Sequence, residues 1–195
     1  MMKQRICNIL YESMSFKDRP NINDAFWKWF GNSKVVDSNG DPLVVYHGTY
    51  NDILDFLSFN TRRSHRDKMG SYFTHDPDLA SKMHGGLKRI IPVYLSIQNP
   101  FDVKDVEREN IAQVAGYDQT VQSVMRAQGR AGQYSTLEFL DNRYDLVPRL
   151  KKKGYDGVIF DGEQEGITYV VFKPTQVKSV FNRGTWELNN PEMSK

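Results

Sequence analysis

Residues 42–50 read PLVVYHGTY: apolar and β-branched residues run straight into a histidine, a glycine and a threonine. Two readings are open at this stretch. Either a strand simply ends at a turn with His47 near the surface, or His47, Gly48 and Thr49 line a ligand pocket. The second has a chemical basis, because a ring donor, a bare backbone and a hydroxyl fall within three residues. The stretch alone does not separate them.

Upstream, Asn23 is placed to cap a helix over DAFWKWF, with Ala25, Phe26, Trp29 and Phe30 on one face and Gly31 ending it. KVVDSNGDPLVVYHG (34–48) carries a hairpin signal, two β-branched runs around a polar Asn-Gly turn. Downstream, GSYFT reads as a strand, and Asp76-Pro77 opens a helix to about Met83. RIIPVYLSIQNPFDV reads as a long strand that ends at a turn, residues 104–153 as mostly helical, and YDGVIF, ITYVVF and QVKSVF as closing strands. Strands on both sides of a helical middle predict an α+β fold with antiparallel pairing.

The chain has 195 residues, enough for one domain with a real core, and 39% hydrophobic content excludes a disordered chain. Cys7 is the only cysteine, so an internal disulfide and a thiolate cluster are both excluded. His47, His65, His75 and His84 fit no metal-ligand spacing, and no metal is expected. No apolar run approaches the roughly 18 residues that cross a bilayer, and the N-terminus lacks a signal-cleavage pattern; a cytoplasmic protein with no membrane partner is expected. A net charge of +2 is too small to argue for nucleic acid. TRRSHRDK (61–68) concentrates basic residues and reads either as a solvated loop or as a loop meeting phosphate.

Three stretches occur in order: YHGT (46–49), GSYFTHDPDLASKM (70–83) and TYVVFKPTQVKSV (168–180). They resemble the three motifs of the His-Tyr-Glu branch of ADP-ribosyltransferases, which includes diphtheria toxin and the poly(ADP-ribose) polymerases. FWKWFGNSKVVDSNGDPLVVYHGT together with the closing strands is more similar still to the ADP-ribosyltransferase domains of phage and mobile-element polyvalent proteins. The resemblance spans about residues 24–190. It implies two small antiparallel sheets forming a cleft for NAD, with a helical insert, in a domain of residues 21–190. Residues 1–20 would then be an N-terminal extension and 191–195 a tail.

The resemblance also implies roles. His47 matches the histidine that hydrogen-bonds the adenosine ribose, and Gly48 the residue whose backbone holds the nicotinamide carboxamide, with Thr49 beside them. A side chain at Gly48 would block that approach. Tyr72 matches the tyrosine lining the nicotinamide pocket, with Phe73 next to it; an electron-rich ring suits a flat pyridinium. Met83 stands where many relatives have a second stacking tyrosine, which loosens the sandwich. Arg62 and its basic neighbours are candidates for the pyrophosphate.

Thr168 is the larger departure, because the polymerases carry a glutamate there. Cleaving nicotinamide from ribose passes through an oxocarbenium-like sugar, which a nearby negative charge and a hydrogen bond to the 2′-hydroxyl both stabilise. Threonine keeps only the hydrogen bond. Three outcomes stay open. The protein is a mono-ADP-ribosyltransferase; or Glu163 or Glu165, on the turn before the strand, substitutes; or the chain is an inactive binding module of the same fold. The expected partners are NAD and an unidentified protein or nucleic-acid acceptor, with a host protein the expected one. A nuclease built on His47, Arg62 and His65 is a more distant reading, since no second histidine pairs with His47 at a recognisable spacing.

Overall fold

A computed structural model describes residues 16, 19, 21–49, 69–82, 89–127, 132–162 and 166–193. The basic loop at 61–68 lies outside them, as does most of the extension over residues 1–20. Helix α1 (Asp24–Phe30) opens as its sequence predicts: the Asn23 side chain accepts from the Phe26 amide. Gly31, at φ 58°, closes it by donating to the Trp27 carbonyl. The buried face carries Phe26, Trp29 and Phe30.

The remaining elements are β1 (Val45–Thr49), β2 (Ser71–Thr74), α2 (Pro77–Lys82), β3 (Arg89–Leu95), β4 (Pro100–Asp102), α3 (Ile111–Val114), α4 (Gln119–Ala127), α5 (Gly132–Tyr144), α6 (Leu146–Lys152), β5 (Gly157–Asp161), β6 (Ile167–Val171) and β7 (Val177–Ser179). Among the described residues the strands form one seven-stranded sheet in the order β4-β5-β6-β2-β1-β3-β7. The fold is therefore mixed α and β, as expected, but the strands join in one sheet rather than two.

Three details depart from the sequence reading. The hairpin over 34–48 shrinks to a single bridge between Val36 and Pro42. The Asp37 carboxylate accepts from the Asn39 and Asp41 amides and closes the turn tightly. Pro42 then has no amide to extend a ladder, so β1 pairs with β2 and β3 instead. The long strand at 89–103 is interrupted, because the Asp156 carboxylate draws the Gln98 and Asn99 amides into a turn at 2.8 Å each. Finally, β4 and β5 run parallel. The chain returns from β4 through α3–α6, a crossover long enough to permit that direction.

Strand alternation sorts the core into two faces. Phe73, Val45, Ile91, Val93, Ile159, Tyr169 and Val171 share one face in a single cluster. On the other face, α3–α6 cover the β4-β5-β6 end with Leu137, Leu140 and Leu150 against Val158, Phe160 and Val170. At the far end of that same face, α1 and Trp186 pack on Tyr94 and Val180. The segment after β7 is tied down by the fully buried Lys178, whose Nζ donates to the Asn190 and Glu192 carbonyls; burial lowers its pKa.

Gly70 sets the close approach of β2 to β6. Its φ is +153°, and a Cβ there would lie 2.1 Å from the Val171 carbonyl oxygen. Since that neighbour is backbone, the clash has no flexible escape. Gly70→Ala is expected to destabilise the protein by about 3 kcal/mol or more, read as a lower urea midpoint. An unchanged midpoint would show that β2 and β6 need not approach so closely.

Candidate functional site

β1 and β2 are neighbours, yet they register at one pair only, Tyr46 with Thr74. By contrast, β1 matches β3 from Val45–Val93 to Thr49–Arg89, and β2 matches β6 from Ser71–Val171 to Thr74–Thr168. Continuing the β1–β2 ladder would set His47 opposite Phe73 and Gly48 opposite Tyr72. The imidazole takes that place instead: His47 Nδ1 lies 2.8 Å from the Tyr72 carbonyl oxygen. The His47 ring also meets the Phe73 ring at 5.4 Å between centroids.

A carbonyl only accepts, so Nδ1 carries the proton and donates. In the neutral ring Nε2 is then the acceptor nitrogen, suited to a hydroxyl such as that of a ribose. The bond persists in the imidazolium, where Nδ1 is again a donor. His47 thus ties the first motif to the backbone of the second, and the tie replaces a rung of the sheet.

The side chains of Tyr72 and Thr74 lie on the face that α3–α6 and α1 cover at its two ends, and alternation from Val45 puts Tyr46 and Gly48 there too. The β2–β1 junction therefore falls between the two helical covers. Tyr72 is half-buried and its ring meets Tyr134 of α5 at 6.0 Å and 69°. Phe73 is buried on the opposite face.

Thr168 lies one strand over, opposite Thr74 in β2 and Phe160 in β5. It is 2% exposed, and its hydroxyl donates to the Gly166 carbonyl at 3.2 Å. Its proton is thereby committed, and the oxygen has only lone pairs left for any further partner. The Gly162 amide donates to the Gly166 carbonyl at 2.9 Å, closing the hairpin just before β6. Glu163 and Glu165, between them, lie outside the described residues, as do Arg62 and Met83.

His47, Gly48, Tyr72, Phe73 and Thr168 thus lie on three adjacent strands, with Tyr72 and Thr168 on the helix-covered face, His47 and Phe73 on the other, and Thr49 ending β1. Sequence reasoning missed Tyr134, because a single tyrosine near a helix start carries no signal of what lies across from it. It also missed a polar cavity of about 440 Å³ lined by Lys104, Arg108, Gln133 and Asp161 among others. Among the described residues, none of the site residues named from the sequence lines that cavity. No group of three His, Cys, Asp or Glu side chains among the described residues is arranged to hold a metal ion. No described helix is long and apolar enough to cross a membrane.

The sheet, and the meeting of the first two motifs at one junction, are compatible with an ADP-ribosyltransferase-like fold. The family model described as ADP-ribosyltransferase in polyvalent proteins matches residues 37–187, and the chain belongs to that family. Enzymes of this kind take NAD as substrate. No curated protein matches the chain. A crystal structure of an anti-CRISPR protein is similar at a TM-score of 0.38 and 15% identity, over 69% of this chain and 90% of that one. That likeness is too slight to carry an argument.

Removing the His47 ring would leave the Tyr72 carbonyl without this donor. His47→Ala is expected to cost about 1–3 kcal/mol of stability. His47→Asn, whose amide can donate from a similar place, is expected to recover part of it in urea unfolding. Equal losses in the two variants would mean the ring acts by packing alone.

Proposed function

We propose that residues 21–190 form a mono-ADP-ribosyltransferase domain, moving one ADP-ribose from NAD to a macromolecular acceptor. The observation that carries this reading is the His47–Tyr72 hydrogen bond, which joins the first two motifs, with the third on the strand paired to β2. In the proposed arrangement the nicotinamide carboxamide meets the Gly48 backbone, the nicotinamide ring lies against Tyr72, and His47 Nε2 accepts from the adenosine ribose. Arg62 is the proposed pyrophosphate contact.

The reaction breaks the bond from the ribose anomeric carbon to the nicotinamide nitrogen. The electron pair leaves with nicotinamide, which becomes neutral and needs no acid. An acceptor nucleophile forms the new bond to that carbon and releases its proton. Thr168 offers a lone pair to the ribose 2′-hydroxyl but no negative charge to the cationic sugar. The forgone electrostatic stabilisation is on the order of 10²–10³ in rate. A neutral threonine is also a poor base at pH 7. It therefore does not activate a ribose hydroxyl for chain growth, and the acceptor must bring its own reactive nucleophile. Glu163 or Glu165 remains a candidate substitute carboxylate.

A second reading, an inactive NAD-binding module, is favoured by one observation: the burial of Thr168 with its hydroxyl turned to Gly166. The two readings part in one experiment. Full-length protein is incubated with adenylate-labelled NAD and a cell lysate, and nicotinamide release is followed. The expected outcome is label on acceptors as single ADP-ribose units, lost in Tyr72→Ala and reduced when Glu163 and Glu165 are both replaced by Gln if they substitute. Phosphoribosyl-AMP among phosphodiesterase products would reveal chains and contradict mono-transfer. NAD binding without consumption would favour the inactive module.

A further inference from the structure

The helical segment between β4 and β5 reaches the proposed NAD site at one side chain. Tyr134, in the first turn of α5, touches two strands at once. Its ring stacks on Phe160 of β5, at 6.2 Å and 27°, and meets Tyr72 of β2 edge-on, at 6.0 Å and 69°. Because β6 runs between β5 and β2, Tyr134 spans that strand on the face bearing Thr168. It is nonetheless 36% exposed, an unusual exposure for a ring so engaged with the sheet. Two rings meeting near a right angle make a corner. A flat ligand ring fits such a corner by stacking on one wall and meeting the other with its edge.

We propose that Tyr134 is the second aromatic wall of the nicotinamide recess, supplied by the helical insert. The inference rests on the transferase reading above and deepens it. Tyr134 is a positioning residue: it holds the nicotinamide ring against Tyr72 while the bond to ribose breaks. Its place is set locally. Gly132 begins α5 with φ at 76°. The Gln133 side chain then fixes the helix start to the sheet, donating to the Val103 and Val106 carbonyls at 2.7 Å and accepting from the Asp161 amide at 2.8 Å. The residue that follows is therefore delivered over β6 with little freedom.

The test compares ligands that share the ADP-ribose part and differ in nicotinamide. Full-length wild type, Tyr134→Ala and Tyr134→Phe are titrated calorimetrically with NAD and with ADP-ribose, and thermal melts report folding. Tyr134→Ala is expected to weaken NAD roughly tenfold, the size of one aromatic contact, with ADP-ribose affinity unchanged. Tyr134→Phe is expected to match wild type, because the ring and not the hydroxyl forms the wall. Should the alanine variant fail to fold, Tyr134→Leu keeps apolar bulk against Phe160 and is expected to show the same selective loss. Wild-type NAD binding with an unaffected alanine or leucine variant overturns the proposal and leaves the transferase reading standing. So does an equal loss for both ligands, which marks a structural role. A wild type that binds neither ligand overturns the transferase reading and this inference with it.

Discussion

The 2.8 Å hydrogen bond from His47 Nδ1 to the Tyr72 carbonyl substitutes for a rung between two neighbouring strands. It lets β1 and β2 part after a single registered pair while keeping a backbone acceptor satisfied. An unpaired carbonyl at that place would cost as much as a lost hydrogen bond, so strands that part need some such donor. A histidine supplies it through Nδ1. Glycine and tyrosine on the two parting strands then share one face at the junction. The separation of the strands and the composition of the site have one cause.

The covers on the sheet reinforce this. α3–α6 pack one end of the face through Leu137, Leu140 and Leu150, and α1 packs the other through Phe26 and Trp29. Each cover is a separate hydrophobic cluster, and the β2–β1 junction lies between them. The opposite face runs through one cluster from Ile159 in β5 to Val177 in β7, so the sheet stays a single body across the junction. Among the described residues, the junction thus lies between two helical covers and is backed by one continuous core.

Much of this was legible in the sequence where local rules dominate. Asn23 and Gly31 bound α1, Asp76 caps α2 by accepting from the Asp78 and Leu79 amides, and the three closing strands fall where their β-branched runs place them. Motif order singled out His47, Gly48 and Tyr72, which the sheet sets on two neighbouring strands. Long-range competition hid the rest. The 34–48 hairpin yields because β1 finds a better partner in β3, and the parallel β4–β5 pair depends on a crossover whose direction no local pattern records. The Asp156 carboxylate that breaks the long strand at Gln98 comes from more than fifty residues away in sequence. Tyr134 illustrates the same limit: helix periodicity says which face it takes, and only the packed sheet shows that Tyr72 lies across from it. Thr168 was visible as a departure, but its burial and its hydrogen bond to Gly166 needed the fold.

The central claim is that the parted β1–β2 junction is the place where NAD is held. A crystal structure of the protein soaked or grown with NAD tests it most directly. The account predicts the nicotinamide carboxamide within hydrogen-bond distance of the Gly48 backbone, its ring against Tyr72, and a ribose hydroxyl on His47 Nε2. NAD bound instead in the cavity beside Lys104 and Arg108, with the junction unchanged, would contradict it.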